Sequence, residues 1–440
     1  MPAVPLGVKA YRRTDAMVPE TRLVNMWLEK DESGVSPDGL MRVQRPGLTQ
    51  VESRTANIRA LAYRPATGEE VTVSDRLHIE GTDKGGIAGT GIAPTVDTPF
   101  SFAVLGGQSL YIYNTALIVV AMPNDAGEIV DIDQLNGYIL ILTRSGRFYW
   151  IEPGETTVDP LNFATAESSP DIGVAIRRVG DEFWIFGESS VEPWQATGNF
   201  DAPFQPVTGR VYESGCLSRD SVRRFDNSVM WVTDALQVAR GGTVPSVVSD
   251  NGLSERLRKR TGEPSAFTFP WDGHDFYVLR IPGQGTFAYD AATQNWCEFS
   301  TLGAGVWRPV VGEDHGGVVR VGDSDSGAVW LLDSGTMTDA GTPIERVVTG
   351  TVGFLGRTGR NNSLGIGVGV SNDAVVRVRW KDGQDDFPAY YDELPVRAPM
   401  DVANIYRMGR PEQPYRTVEV SCVDPVRLRI AGAMINEAWK

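Results

Sequence analysis

The chain has 440 residues, with 41 basic and 56 acidic side chains and a formal net charge of −15. Such acidity excludes a protein whose main task is gripping nucleic acid by phosphate neutralisation, which takes clustered Lys and Arg, and a polybasic membrane-surface protein. Hydrophobic residues at 41% supply a sizeable core for two or three domains.

The three cysteines, Cys216, Cys297 and Cys422, are far apart, and there are three histidines, His78, His274 and His315. Neither a disulfide framework nor a His-rich metal centre fits those numbers. The longest apolar run, residues 116–122, falls far short of the roughly 18 residues of a membrane span, and the N-terminus lacks a signal-peptide core. No membrane anchor is expected, and synthesis in a reducing host cytoplasm is.

In chain order, residues 1–45 read as an extended arm. From about residue 46, glycine and proline punctuate short apolar runs, the signature of strands and tight turns. A polar turn followed by an aromatic-rich strand recurs as N-G-Y-I-L-I-L from Asn136, G-D-E-F-W-I-F from Gly180, D-N-S-V-M-W-V from Asp226 and D-G-H-D-F-Y-V-L from Asp272, at steps of 44, 46 and 46 residues. A weaker copy, L-G-G-Q-S-L-Y-I-Y, begins at Leu105, and a later one runs through G-A-V-W-L-L-D from Gly327. A period near 45 with about four strands per unit is that of a β-propeller blade. About six blades are expected over residues 46–345, with Tyr138, Phe183, Trp184, Trp231, Phe276 and Tyr277 filling the wedges between them. The best helix candidate is residues 249–260, with Asp250 or Ser254 as its cap.

Beyond Arg346 the repeat stops and the charge balance changes: residues 346–440 carry 13 basic and 11 acidic side chains. Strict alternation in V-V-R-V-R-W from Val375 and V-R-L-R-I-A-G-A from Val426 predicts an antiparallel sheet with one wet face. The fold class is therefore all-β, a propeller followed by a small sandwich-like antiparallel β-domain over 346–440.

No catalytic, cofactor-binding or metal-binding residues are expected from the sequence. The glycine cluster from Gly85 lacks the Lys-Ser/Thr and the helix of a phosphate loop. Asp323 and Asp325 lack the closing Glu of a calcium loop, so a hairpin turn with Asp side chains bonding backbone N–H groups is the reading. The pairs Arg177–Arg178 and Arg223–Arg224 read as solvated rims, the two turn histidines as exposed or capping, and the cysteines as small core residues.

Several long segments carry a family resemblance. G-E-S-S-V-E-P-W-Q-A-T-G-N-F-D-A-P-F-Q-P-V-T-G from Gly187, F-A-T-A-E-S-S-P-D from Phe163, F-A-Y-D-A-A-T-Q-N-W from Phe287 and M-G-R-P-E-Q-P-Y-R-T-V-E-V-S-C-V-D-P from Met408 closely resemble the packaged-DNA stabilisation proteins of short-tailed phages, the tail-nozzle or hub proteins of the P22 type. R-L-V-N-M-W-L-E from Arg22 and R-P-G-L-T from Arg45 match as well, although the family pattern has Tyr-Pro where Trp27 and Leu28 stand. The resemblance implies a virion tail protein, six copies to a ring under the head-to-tail adaptor. That ring would extend the DNA exit channel and, with a tail needle or plug, retain the packaged genome until ejection, with tailspikes or fibres as further neighbours. Genomic double-stranded DNA would pass without specific binding.

The expected partner interface is Arg22, Asn25, Trp27, Arg45 and Pro46 of the arm with Arg256, Arg258, Lys259 and Arg260 of the basic run. The arm is expected to be exposed in the isolated chain and to become ordered on the adaptor. The alternative reading is a propeller enzyme or lectin acting on host surface glycans, which would gather charged residues in a pocket at the axis.

Overall fold

Apolar runs separated by Asn-Gly or Asp-Gly pairs favour the two-residue hairpin, whose central residues both take positive φ. The computed structural model describes residues 3–13, 19–166, 171–323, 325–353, 359–411 and 413–439; of the segments quoted above, residues 167–170, 324 and 412 lie outside these. Asn136 and Gly137 have φ of 54° and 87°, and Asp272 and Gly273 have φ of 50° and 82°. Each pair joins the inner strand of an antiparallel sheet to the next strand outward.

Seven four-stranded units follow one another among the described residues. Their inner strands are Ala60–Arg64, Thr95–Asp97, Ile129–Leu135, Gly173–Val179, Arg223–Phe225, Ser265–Trp271 and Pro309–His315. Each inner strand touches the next, and Pro309–His315 touches Ala60–Arg64, so the ring closes. The fold is a β-propeller, with seven blades rather than about six. The first three inner strands start only 35 and 34 residues apart, and the later ones 42 to 50 apart, so a 45-residue period passes over one blade. The copy at Leu105 is also one strand out of phase, since it joins the second and third strands of the second blade.

The continuous apolar runs are explained by blades covered on both faces. In Tyr138–Thr143, Ile139 and Ile141 enter a cluster with the second blade's Leu105 and Ile112. Their neighbours Leu140 and Leu142 enter another with the fourth blade's Phe183 and Ile185. Strand alternation thus feeds two wedges from one run. The wedge between the third and fourth blades is aromatic: Phe183 lies 5.3 Å from Phe148 and 5.2 Å from Phe204, both edge-on.

The seventh blade takes three strands from its own sequence, and its outer strand is Gly47–Arg54, paired antiparallel with Gly327–Asp333. Gly327 has to be glycine, because a Cβ there would strike the Arg54 carbonyl. Arg320 of the seventh blade reaches Glu70 of the first at 2.8 Å and Glu313 of its own blade at 3.2 Å, tying the two ends of the ring together.

The remaining strands form two further sheets. The sixth blade continues past Asn295–Phe299 through Leu23–Val24 into Arg346–Gly353, Tyr415–Cys422, Ala374–Asp382 and Asp392–Val396, one sheet of nine strands. The other sheet contains Met26–Lys30, Leu40–Gln44, Leu428–Trp439, Gly359–Val370 and Met400–Gly409, with Ala3–Val4 against Leu428–Trp439. Leu364, Ile366 and Val368 of the second sheet share one core with Val376, Val378, Val418 and Val420 of the first. The N-terminal residues described are therefore not an extended arm. They supply strands to both sheets and to the ring, because their alternate apolar positions (Val4, Leu6, Leu23, Met26, Leu28) are buried in that core.

The helix is Asn251–Arg258, capped by Asp250, whose side chain accepts from the Leu253 N–H; it is the one α-helix among the described residues. Leu253 and Leu257 anchor it to the wedge between the fifth and sixth blades.

Phe183 is fully buried in its aromatic wedge. Phe183→Ala is expected to cost about 3–5 kcal/mol in equilibrium urea unfolding, and a loss under about 1 kcal/mol would mean the wedge is not packed as described.

Candidate functional site

The arm meets the ring at Arg45, whose side chain is 1% exposed. A buried guanidinium is costly unless all five of its N–H groups find acceptors, and here they do. Nε donates to Asn25 Oδ1 at 2.8 Å, Nη1 to the Pro46 carbonyl at 3.0 Å and to Asp339 Oδ1 at 2.8 Å. Nη2 donates to the Ser300 carbonyl at 3.1 Å and to Asp339 Oδ2 at 2.6 Å. Trp307 lies 5.2 Å from the guanidinium carbon. Asn25, in the left-handed region at φ 56°, is equally committed. Its amide donates to the carbonyls of Ser300 and Glu345, and its oxygen also accepts from the Ser300 N–H.

Trp27 is 2% exposed and packs on Phe276 and His274 at ring distances of 5.2 and 5.8 Å. Pro46 is buried. Arg22 is half-buried between Glu298 and Glu20, and its N–H donates to Thr349 Oγ1. The expected partner interface is therefore corrected for the arm: Asn25, Trp27, Arg45 and Pro46 are interior, and Arg22 is committed within the chain. These polar groups are spent on joining the arm to its own ring. The described arm residues pack into their own chain, against the expectation of an exposed arm.

On the basic run, Arg256 lies over the Phe287 ring at 4.8 Å and is half-buried. Arg260 donates to the Leu257 carbonyl. Arg258 and Lys259 are exposed, with Lys259 paired to Glu255. The structure thus splits the nine expected residues into an internal junction and a helix end, of which Arg258 and Lys259 face solvent.

Beside the junction opens a cleft of about 620 Å³ lined by Trp27, Arg45, Trp271, His274, Arg427 and Arg429 among others. His274 corrects the reading of an exposed turn histidine. It is 8% exposed, and Nδ1 lies 2.9 Å from Asp290 Oδ2. Burial by itself lowers its pKa, but the Asp290 hydrogen bond and charge, with Glu29 and Asp272 nearby, outweigh burial and raise it above 6.5. His315 is exposed.

The other candidates resolve as turns and core. Asp323 is wholly buried, accepts from Ser326 Oγ and the Asp325 N–H, and pairs with Arg308. The cluster from Gly85 closes the first blade's outer strand and the turn after it. The three cysteines are buried and free, and burial pushes the Cys216 thiol up to about 12. Among the described residues no group of three or more His, Cys, Asp or Glu side chains is placed to hold a metal.

Sequence reading missed the polar lining of the axis. Arg177 is not a solvated rim: it is 9% exposed and pairs with the buried Asp131 at 2.6 Å. Arg224 is exposed and pairs with Asp133 at 3.3 Å. The signal available was V-D-I-D at 130–133, two acids inside an apolar strand, which in a buried inner strand need cations from the next blades.

The fold and the junction define a sealed β-propeller with a folded-back N-terminus. The chain belongs to the phage family described as "Bacteriophage P22 Gp10, beta-propeller", whose model matches residues 3–337, and is thus a phage structural protein of the packaged-DNA stabilisation type. No protein of curated function matches it. Among solved structures it is similar to "Crystal structure of the computationally designed Ika8 protein: crystal packing No.1 in P63", at 11% identity over 71% of this chain and 99% of that one, with a TM-score of 0.39.

Asp339→Asn leaves Arg45 buried without its carboxylate and is expected to cost about 3–5 kcal/mol by chemical unfolding. The paired change Arg45→Met/Asp339→Leu should cost less than that single change; equal losses would mean the charge pair is not what matters. Because the folded pKa of His274 is raised above its unfolded value near 6.5, its stabilisation is fully present below pH 6.5 and lost as pH rises through the folded pKa. The Tm measured from pH 6 to pH 8.5 should therefore fall by an increment absent in His274→Gln.

Proposed function

We propose that this protein is the nozzle, or hub, subunit of a short phage tail. Six copies form a ring beneath the head-to-tail adaptor, extend the DNA exit channel and, with a needle or plug, hold the packaged genome until ejection. The observation that carries this reading is the family match over residues 3–337. One physical feature supports a ring of copies. The propeller's own axis holds a cavity of about 300 Å³, far too small for a duplex whose major groove alone is about 12 Å wide. A conduit for DNA must then run between subunits.

The subunit is structural and has no reaction to catalyse. The net charge of −15 supports a wall that repels the phosphate backbone, since binding strengthens with each phosphate neutralised. Screening confines that repulsion to about 8–10 Å at physiological salt, so it acts in the narrow sections of the channel. Genomic DNA passes without specific contacts, and the purified chain is a soluble monomer that becomes a ring on the adaptor.

The test is a phage carrying a nonsense mutation in this gene, grown with and without complementation. Particles made without the protein should fill with DNA and then lose it, read as empty heads and nuclease-accessible genome, and cryo-EM of complemented virions should place six copies below the adaptor. Mutant particles that keep their DNA as well as complemented ones would overturn the proposal.

A further inference from the structure

The longest apolar run in the sequence, residues 116–122, lies at the outer rim of the ring. It supplies Leu117–Val120, the outermost strand of the second blade, which pairs on one side only, with Ser109–Tyr113. Ile118 and Val119 are 40% and 61% exposed. Sheets blunt such edges with charge, proline or shortness. The first blade's outer strand, Thr82–Gly86, carries Asp83 and Lys84. Asp392–Val396, last in the nine-stranded sheet, carries Asp392, Glu393 and Pro395. Residues 116–122 have neither a charge nor a proline, and a β-branched apolar window of that kind at an open edge invites another strand. One other long edge among the described residues is open and apolar. Met400–Gly409 ends the second sheet, paired with Gly359–Val370 alone, and its Met400, Val402 and Tyr406 are exposed. The Val402 N–H and carbonyl are held by the side chains of Asp401 and Asn404, local bonds that an incoming strand can replace.

The two edges sit in surroundings of opposite charge. Around the first, residues 60–128 hold eight acidic and three basic side chains; around the second, residues 397–410 hold three basic and one acidic. Arg407 and Arg410 are exposed and make no ion pair among the described residues. We propose that the Leu117–Val120 edge of one copy adds to the Met400–Gly409 edge of the next, so that one sheet runs across the contact between neighbouring copies of this chain. The inference rests on the ring of copies proposed above and names the contact that builds it. One surface belongs to the second blade and the other to the sheet packed on the extension of the sixth. The contact is therefore heterologous, and repeated heterologous contacts close into a ring. Backbone pairing supplies attraction, while the apolar side chains and the opposite charges select the partner. Adding a four-residue strand falls well short of the roughly 1,200 Å² of a stable pair, which fits a chain that stays monomeric until a template gathers its copies.

The test complements the nonsense phage with full-length chains carrying Val119→Cys, Tyr406→Cys or both, and treats the purified virions with a short bis-maleimide. The native cysteines are buried and free, so they do not react. The double variant should give a ladder of covalent oligomers on denaturing gels, reaching six copies, and each single variant only the monomer. Val119→Lys, a change at an exposed position, should leave the Tm of the purified chain within about 2 °C of wild type while its particles lose their DNA. Cryo-EM of the double-variant virions separates the two readings. A ring of copies with no ladder would overturn the edge pairing and leave the ring standing, and particles without a ring would overturn both. A covalent dimer from Val119→Cys alone would mean that the edge meets its own twin. A product joined to the adaptor would mean that another protein covers it, and either result overturns the proposal.

Discussion

The structure depends on where the N-terminus goes. Within about thirty residues it inserts Leu23–Val24 between the sixth blade and Arg346–Gly353, pairs Met26–Lys30 with Leu40–Gln44, and lays Gly47–Arg54 along the seventh blade. Arg45 sits between the second and third of these events and collects acceptors from Asn25, Ser300 and Asp339. Replacing such a network by packed apolar side chains is often neutral in stability. Its contribution here is positional: only one placement of the arm satisfies all five donors together with the amide of Asn25. The closing pair joins residues some 280 positions apart, a long-range closure whose entropic cost the network helps to offset.

The same insertion manages the exposed sheet edges. An unpaired edge strand is a template for association. The outer strands of the third, fourth and fifth blades are only two or three residues long, Phe163–Thr165, Phe204–Pro206 and Ser246–Val247. The sixth and seventh blades have longer outer strands and have them covered, one by Leu23–Val24 and the other by Thr338–Asp339 beside Gly47–Arg54. Only the first and second blades keep outer strands of four or five residues without a further partner among the described residues, Thr82–Gly86 and Leu117–Val120.

Much of the ring was legible because its signals are local. Asn136-Gly137 and Asp272-Gly273 specify their hairpins within two residues, and the runs 139–142 and 183–186 specify strands buried on both faces. The helix was legible for the same reason, from Asp250 or Ser254 as a cap, and the structure uses Asp250. What escaped depends on partners far along the chain. The alternation in Gly47–Arg54 says strand but cannot say that its partner is Gly327–Asp333. Asn25 and Arg45 are polar residues in a polar-looking arm, and their burial follows only from the placement of Ser300 and Asp339. His274 follows Asp272-Gly273, so it looks like a turn residue. Its interior character comes from Trp27 on one side and Asp290 on the other.

Charge distribution follows the same division between local and distant control. The acidic excess belongs to residues 1–345, yet the axis of that very segment gathers Arg59, Arg177, Arg223 and Arg224 against the carboxylates of Asp133 and Asp220. The excess acid must therefore lie away from the axis, on faces that meet solvent or other molecules. Inner strands are hemmed in by six others, and a cluster of carboxylates there would carry like-charge repulsion at low dielectric with no water to relieve it. Outer faces have water and salt to screen them. The centre of this propeller holds cations and paired acids, and the acidic excess of residues 1–345 is left to its outer faces.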